Sequence, residues 1–319
     1  MLSGVRELRG TGEAVQYSVV IPLFNEEENL LELHRRLTVV MERLGGTYEI
    51  IFVDDGSKDR SVARLKELHQ QDARVKALIF SRNFGHHVAL TAGIDAARGE
   101  VVILMDGDLQ DQPEEIPKLL AKLHEGYDVV HGNRKNRKDG VAKRVASRMF
   151  VAVVNRVIGS GQPINSEIFR VMNRQVIDEL KRCREVSRFI TGLVSWLGFK
   201  QAGVDVEHGA RFAGESKYTI WKLMKLALNT FTSFSYFPLQ LATYLGFFTA
   251  LLSVLVGTSI ILLKLIYGIP VAGYASFLVA VLFLGGIQLI MLGLIGEYIG
   301  RIYTETQGRP LYIVRETLS

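Results

Sequence analysis

The chain has 319 residues, 48% of them hydrophobic, and a formal net charge of +5. Its single cysteine, Cys183, excludes an internal disulfide and fits a reducing compartment. A basic balance suits nucleic acid, but the apolar residues are gathered into runs, and a membrane gives Lys and Arg another place to collect.

Residues 1–16 mix charge and glycine without an apolar h-region, so a mobile tail is expected there and no signal peptide. From residue 17, β-rich runs at 18–21, 49–53, 75–80, 101–105 and 128–130 alternate with helical patterns at 26–44, 61–71, 87–97 and 113–124. This alternation predicts βαβ units and a mostly parallel sheet. Ligands of such sheets bind beyond the carboxyl ends of the strands. The polar clusters fall there: Asn25-Glu26 after the first strand, Asp54-Asp55-Gly56-Ser57 after the second, Asp106 and Asp108 after the fourth.

The basic stretch 134–148 leads into a helix and reads most simply as a solvated face. Residues 192–208 are not firmly assigned; helix then strand is the working order. Residues 216–237 read as an amphipathic helix, with Ile220, Leu223, Met224, Ala227, Phe231 and Phe234 on one face. Lys222, Lys225, Asn229 and Thr232 line another face, and Trp221 stands near the boundary. A helix lying in a membrane interface and a helix packed on a soluble domain both fit. Pro238 breaks the pattern.

Two runs follow, 239–263 and 265–296, without one Asp, Glu, Lys or Arg. Crossing hydrocarbon takes roughly 20 apolar residues, and two tandem helices apolar all round fit a soluble core poorly. Lys217, Lys222 and Lys225 precede the first run, and Arg301, Arg309 and Arg315 follow the second. The connector Tyr267-Gly268-Ile269-Pro270 is uncharged, so both termini are expected to be cytoplasmic. Gly285, Gly286, Gly293 and Gly296 suit close helix contact or simple filling equally.

The pair Asp106-x-Asp108 offers hard oxygen ligands, which favour Mg²⁺ or Mn²⁺ bridging to substrate phosphates. Strand-end aspartates are also ordinary turn residues. Asp54 fits either a turn with a helix cap or an acceptor for a nucleobase edge. Phe24 can stack on a base and Glu26 can hold a polar group, though a strand-to-helix loop needs neither. The chain has no G-x-x-x-x-G-K-[ST] run, no C-x-x-C pair and no H-E-x-x-H helix. P-loop, structural-zinc and zincin chemistry are therefore set aside. His86-His87 reads as loop or helix start, with a donor contact the lesser alternative.

Taken together, several stretches resemble the inverting family 2 glycosyltransferases of GT-A fold, in the branch that uses polyprenyl phosphate as acceptor. They are Val20-Ile21-Pro22-Leu23-Phe24-Asn25-Glu26, Val53-Asp54-Asp55-Gly56-Ser57, Arg82-Asn83-Phe84-Gly85-His86, Asp106-Gly107-Asp108-Leu109-Gln110 and Arg211-Phe212-Ala213-Gly214-Glu215-Ser216-Lys217-Tyr218. The tail Gly296-Glu297-Tyr298-Ile299-Gly300-Arg301-Ile302-Tyr303 matches as well. Bactoprenol glucosyltransferases and undecaprenyl-phosphate aminoarabinose transferases are the nearest types, with dolichol-phosphate mannose synthase a cousin. The resemblance implies an α/β, GT-A Rossmann-like sheet over 17–215, a juxtamembrane helix over 216–238, two transmembrane helices within 239–300 and a cytoplasmic tail at 301–319.

It also implies roles. Pro22, Phe24, Glu26 and Asp54 would hold the nucleoside, with Asp106, Gly107 and Asp108 on the nucleotide-sugar. Asp106 and Asp108 would hold Mg²⁺ or Mn²⁺, with Gln110 as an added ligand. Arg134, Arg144, Ser147, Arg211, Ser216 and Lys217 would receive the acceptor phosphate. One departure stands out: where the family shows D-x-G-x-F-R, this chain reads Asn165-Ser166-Glu167-Ile168-Phe169-Arg170. Asn165 cannot serve as a base, but a phosphate monoester has a second pKa of about 6 and is mostly ionised at neutral pH. Asn165 could still orient a phosphate or sugar hydroxyl, and Glu167 is a substitute carboxylate.

The expected activity is inverting transfer of one hexose, with glucose first in order, from a UDP-sugar to undecaprenyl phosphate at the cytoplasmic face of a bacterial inner membrane. Transfer of formylated aminoarabinose, or of mannose from GDP-mannose, is the alternative. The product would feed lipopolysaccharide or other envelope glycans through a flippase and a downstream glycosyltransferase. A homo-oligomer is expected; a nucleic-acid partner is not. A processive synthase is disfavoured by the lack of a Q-x-x-R-W motif. A nucleotide-sugar-binding membrane scaffold is the non-enzymatic rival.

Overall fold

The computed structural model describes residues 14–134, 167–186, 188–207, 209, 237–267 and 273–319. The chain divides into two compact units, Met1–Met224 with Pro310–Ser319, and Lys225–Arg309. The first unit opens with β1 (Tyr17–Leu23), α1 (Leu30–Leu44), β2 (Tyr48–Asp54), α2 (Ser61–Gln71), β3 (Val75–Phe80) and α3 (His86–Ala96). It continues with β4 (Val101–Leu104), a 3-10 turn (Pro113–Glu115), α4 (Ile116–His124), β5 (Val129–Arg134) and β6 (Arg170–Asn173). Last come α5 (Arg174–Arg182), α6 (Ile190–Trp196), β7 (Gln201–Val206) and β8 (Val314–Leu318).

The strands form one sheet in the order β7-β5-β6-β4-β1-β2-β3-β8. The central β4, β1, β2 and β3 run parallel, as the alternation predicts. β6 and β8 run antiparallel to their neighbours. Side-chain alternation explains why helices cover both faces. Val19, Ile21 and Leu23 of β1 join Leu33 and Leu37 of α1, Leu65 of α2 and Leu119 of α4 in one apolar cluster. Val20 points the other way, where the α3 backbone at Gly93 lies against it.

The second unit holds α7 (Phe237–Tyr267) and α8 (Tyr274–Thr306), which pack on each other. Within them Ala242–Ile266 and Phe283–Thr306 are long and apolar enough to cross a membrane, with mean hydropathy 2.2 and 1.5. The hydroxyls of Thr243, Thr249, Ser253 and Ser259 each donate to a carbonyl one turn back. Hydrocarbon offers no other partner, so this internal satisfaction suits a lipid setting.

Some boundaries differ from those expected. α1 starts at Leu30 rather than at residue 26. Asn25 adopts a left-handed φ of 57°, and the Asn25 and Glu26 N–H groups donate to the Ser57 and Ser61 hydroxyls. The chain is thereby drawn toward the end of β2 before it can coil. The second long helix begins at Tyr274, not 265, because α7 takes the residues up to Tyr267. Residues 301–319 are not a tail: α8 runs on to Thr306, and β8 covers the outer edge of β3. An exposed edge strand leaves backbone groups unpaired, and β8 pairs them. Lys66 adds an ion pair to Glu316 at 2.7 Å. Of the expected juxtamembrane helix at 216–238, residues 216–236 lie outside the described residues, and Phe237 and Pro238 belong to α7 instead. Pro238 sits in the first turn of α7, where a missing N–H costs no helical hydrogen bond, and so starts the helix rather than separating two.

One buried carboxylate ties the central strands together. Glu49 of β2 accepts hydrogen bonds from the Ser18 hydroxyl (2.7 Å), Lys76 Nζ (2.5 Å) and the Arg98 N–H (2.9 Å). Ser18 in turn accepts from the Gly99 N–H at 2.8 Å. Burial pushes the Glu49 pKa up, but Lys76, Ser18 and the Arg98 N–H outweigh it and hold it below the ordinary 4.5. The stabilisation is therefore complete above that pH and is lost as pH falls below it. Glu49→Gln leaves the partly buried Lys76 without its counter-charge, and should cost about 3 kcal/mol at neutral pH. It should also flatten the acid limb of melting temperature against pH. Thermal melts of the detergent-solubilised protein from pH 7 to pH 3 check both, and an unchanged limb would remove Glu49 from this role.

Candidate active site

β1 is the strand at which the order reverses, with β2 and β3 on one side and β4 on the other. Open α/β sheets bind ligands at such a switch point. The β1–β2 pair extends through Leu23↔Asp54, whereas the β1–β4 pair stops at Val20↔Leu104. Beyond Leu104 the two chains no longer pair as a ladder. Pro22, which has no N–H for a ladder, sits in the stretch of β1 without a β4 partner.

On the β4 side stands the turn Asp106-Gly107-Asp108. A Cβ on Gly107 would lie 2.4 Å from Leu23 Cδ2 and 3.3 Å from the Pro22 carbonyl oxygen. Glycine thus lets the turn close down on β1. Leu109 follows at φ 61°, a costly conformation for a bulky residue, held by burial of its side chain. Asp111, also buried, accepts the Asp106 N–H at 3.2 Å, and Asp108 Oδ1 accepts the Gln110 N–H at 3.1 Å. The Gln110 carbonyl accepts the Gly209 N–H at 2.9 Å, which brings the chain back to this turn two residues before Arg211.

Across β1, Asp54 is fully buried at the end of β2. Its Oδ2 accepts the Ser57 N–H at 3.1 Å. Its Oδ1 is buried with no hydrogen-bond partner among the described residues. A buried acceptor left in that condition is costly, and a donor on a ligand would relieve it. Phe24, at the mouth, keeps 44% of its surface exposed. Glu26 accepts from Asn29 Nδ2 at 2.6 Å, so its carboxylate is tied to the start of α1.

Asp55 faces the β3–α3 loop and accepts the N–H groups of Phe84 (2.6 Å) and Gly85 (2.9 Å). Burial pushes the Asp55 pKa up, against the pull of those two donors. Gly56, at φ 72°, lets the same loop come close, since a Cβ there would lie 2.5 Å from the Arg82 carbonyl carbon. The loop delivers His86 Nε2 to 3.3 Å from Asp106 Oδ1. Burial lowers the His86 pKa, and the Asp55 and Asp108 carboxylates oppose it.

Behind His86 lies a buried basic group. Burial, His86 and Arg170 push His87 down to about 3, and its ring meets Phe189 edge-on at 5.4 Å. His131, paired with Arg170 across β5 and β6, is pushed down to about 4 by burial and by that guanidinium. Both imidazoles are neutral at pH 7. Burial lowers Arg170 to about 10 against the pull of Glu167, and the guanidinium donates to the Glu167 and Ile168 carbonyl oxygens.

The structure thus brings Pro22, Phe24, Glu26, Asp54, Asp106, Gly107, Asp108 and Gln110 to one end of the sheet. Arg134 closes β5. Arg144, Ser147, Asn165, Arg211, Ser216 and Lys217 lie outside the described residues, while Glu167 is buried beside Arg170. Asp55, part of the expected strand-end cluster but given no role there, joins the site with Asp111 and Gly209, which were not expected. The adjacency of Asp55 to Asp54 was the one available signal; nothing in spacing or periodicity marks the other two. Among the described residues no cluster of three His, Cys, Asp or Glu forms a metal cage. Mg²⁺ and Mn²⁺ sites of another kind take one or two carboxylates and complete the shell with water and phosphate oxygens. Two carboxylates on one turn suit that arrangement.

Residues 18–181 match glycosyl transferase family 2, and residues 237–302 match the GtrB C-terminal hairpin. An uncharacterized glycosyltransferase of Synechocystis is 45% identical over 303 residues, covering 95% of each chain. A prophage-derived bactoprenol glucosyl transferase of Shigella flexneri is 42% identical, over 95% of this chain and 98% of that one. Among solved structures, glucosyl-3-phosphoglycerate synthase from Mycobacterium tuberculosis with Mn²⁺, UDP and glucosyl-3-phosphoglycerate superposes with a TM-score of 0.48 at 18% identity, covering 71% of this chain and 80% of that one. With one family matched across half its length and relatives aligned almost end to end, the chain belongs to glycosyl transferase family 2 and carries the GtrB-type hairpin after its sheet domain.

Proposed function

We propose that this protein transfers one glucose from UDP-glucose to a polyprenyl phosphate, undecaprenyl phosphate in a bacterial inner membrane, with inversion at C1. The observation that carries the reading is the placement of buried Asp54 and the Asp106/Asp108 pair on either side of β1 at the switch point. The relatives named bactoprenol glucosyl transferase, about 42% identical over nearly the whole chain, supply the sugar and the lipid. Two helices of membrane-crossing length on the same chain support a membrane anchor, and the Lys and Arg bias supports a cytoplasmic side for both termini and the sheet domain.

Each group has a task set by its surroundings. Asp54 Oδ1, desolvated and waiting, accepts an N–H from the base edge; a uracil offers one. The exposed ring of Phe24 stacks on the base. Asp106 and Asp108, with Gln110 close by, would hold a divalent ion on the diphosphate. That ion supplies charge neutralisation for the leaving group. Arg134, Arg144, Ser147, Arg211, Ser216 and Lys217 receive the acceptor phosphate, where the Arg fork matches paired oxygens.

The reaction is a single displacement. An acceptor phosphate oxygen forms a bond to C1 while the bond from C1 to the diphosphate oxygen breaks, and its electron pair leaves with UDP. With a second pKa of about 6, the acceptor is already a dianion at neutral pH. Little is gained from a base, and Asn165 in place of the family's Asp is compatible with turnover.

Incubating the purified protein with undecaprenyl phosphate and a panel of radiolabelled UDP- and GDP-sugars should yield one lipid-linked product, from UDP-glucose. Product from a GDP-sugar alone would overturn the nucleotide assignment, and no product from any donor would overturn the transferase reading. EDTA should stop the reaction, and Mg²⁺ or Mn²⁺ should restore it. Asp108→Ala should lower turnover by at least about 10³-fold; near-normal turnover would remove the metal role. Asp54→Asn turns one acceptor oxygen into a donor amide. It should raise the donor KM by about 10-fold or more and leave the acceptor KM alone; equal effects on both substrates would place Asp54 elsewhere in the mechanism.

A further inference from the structure

The segment that follows the second long helix packs on β3 and α3, the two elements joined by the loop that carries His86. Immediately before β8, the ring of Tyr312 lies on Phe80, the last residue of β3, with centroids 5.2 Å apart and 14° between the planes. Phe80 meets Phe84 edge-on at 5.6 Å. Phe84 is the residue whose N–H Asp55 accepts. The Tyr312 hydroxyl donates to Asp95 Oδ2 of α3 at 2.9 Å, and Arg184 pairs with the same carboxylate at 2.8 Å. The Ser81 N–H donates to the Ile313 carbonyl at 3.0 Å.

The β3–α3 loop is thereby gripped from two directions. Asp55 and Gly56 hold it from β2, and residues 312–313 hold the strand that leads into it and the helix that leads out. Removing either grip frees the same five residues, 81–85, which carry His86 to Asp106. Charge does not explain the placement of Tyr312, whose pKa is raised first by burial and then by Asp95. Shape does: a flat ring laid parallel on Phe80 fixes the plane against which Phe84 turns its edge.

We infer that Tyr312 is a positioning residue of the donor site, acting through Phe80, Phe84 and α3 to fix the loop that sets His86 beside Asp106. A residue that only led into β8 would need no more than to cover an edge, and any β-former could do that. Tyr312 instead spans two elements, stacking on β3 and bonding to α3. The link to catalysis rests on the donor-site reading proposed above; the link to the loop does not.

The test uses the full-length protein in detergent, with hydrogen exchange at the Phe84 and Gly85 amides, UDP affinity and the two KM values. Tyr312→Ala should speed exchange at those two amides by about 10-fold relative to the β1 and β2 amides. It should weaken UDP binding and raise the donor KM by about 3- to 10-fold, with the acceptor KM unchanged. Tyr312→Phe keeps the stack and loses the bond to Asp95, so it should restore most of the affinity and folds even if the alanine variant does not. Should Tyr312→Ala fail to fold, Tyr312→Leu, which covers the edge without a flat ring, takes its place with the same expectations. Exchange at Phe84 and Gly85 that is unchanged, or that rises no more than across the whole sheet, would overturn the inference. So would full UDP affinity in a folded Ala or Leu variant. Wild-type protein that binds no UDP would defeat the donor-site reading instead, and the exchange measurement would still decide whether Tyr312 holds the loop.

Discussion

The early end of the β1–β4 ladder governs the rest of the sheet domain. A central parallel strand ordinarily satisfies its backbone on both sides along its length. Here β1 continues to Leu23 beside β2, while β4 stops at Leu104. Pro22 needs no donor partner on that side, and Gly107 lets the next turn close onto Leu23. The packing at this end of the sheet follows from those two residue choices. Every candidate donor-site group is then placed by the strand end that carries it: Phe24 by β1, Asp54 by β2, His86 by the loop after β3, Asp106 by β4.

Local strain concentrates at this same end. The two non-glycine residues with left-handed backbone among the described residues are Asn25, after β1, and Leu109, after β4. Each such residue costs on the order of 1 kcal/mol and persists only where its surroundings over-determine it. For Asn25 the constraint is polar, through Ser57 and the Lys58 N–H. For Leu109 it is apolar burial. The Ser18–Glu49–Lys76 staple sits at the opposite ends of the strands, where no ligand group is needed. Rigidity is thus built where the strands start, and tension is held where they finish.

Much of this was legible in the chain itself. The central strands are apolar and regularly spaced, so β3 (Val75–Phe80) falls where its pattern places it. The carboxylates at strand ends were visible because loops there have few reasons to carry Asp54, Asp106 and Asp108 together. β6 was not visible: it has four residues, begins and ends on polar side chains, and gains its strand character from pairing with β4 and β5. β8, reading Val-Arg-Glu-Thr-Leu, is polar on its outer face and was hidden by its position after a long apolar helix. Asp111 and Asp55 escaped for a different reason. Their role is to hold backbone N–H groups of neighbouring turns, and a turn's open donors cannot be counted until the turn exists.

The composition of α7 and α8 bears on how one protein can serve a polar donor and a lipid acceptor. In α7 the hydroxyls of Thr243, Thr249, Ser253 and Ser259 are turned back onto the helix's own carbonyls, which suits a surface met by acyl chains. The sheet domain is built on the opposite principle, with acceptors such as Asp54 Oδ1 that the described protein leaves open. Under the proposed function, the open acceptor Asp54 Oδ1 meets the nucleotide-sugar, and the two apolar helices meet the lipid that holds the acceptor. The proposed acceptor has the same division within one molecule, a phosphate on an apolar chain. An enzyme for it needs both surfaces on one polypeptide, because tethering the site to the bilayer replaces a rare encounter from bulk water with a search confined to the membrane surface.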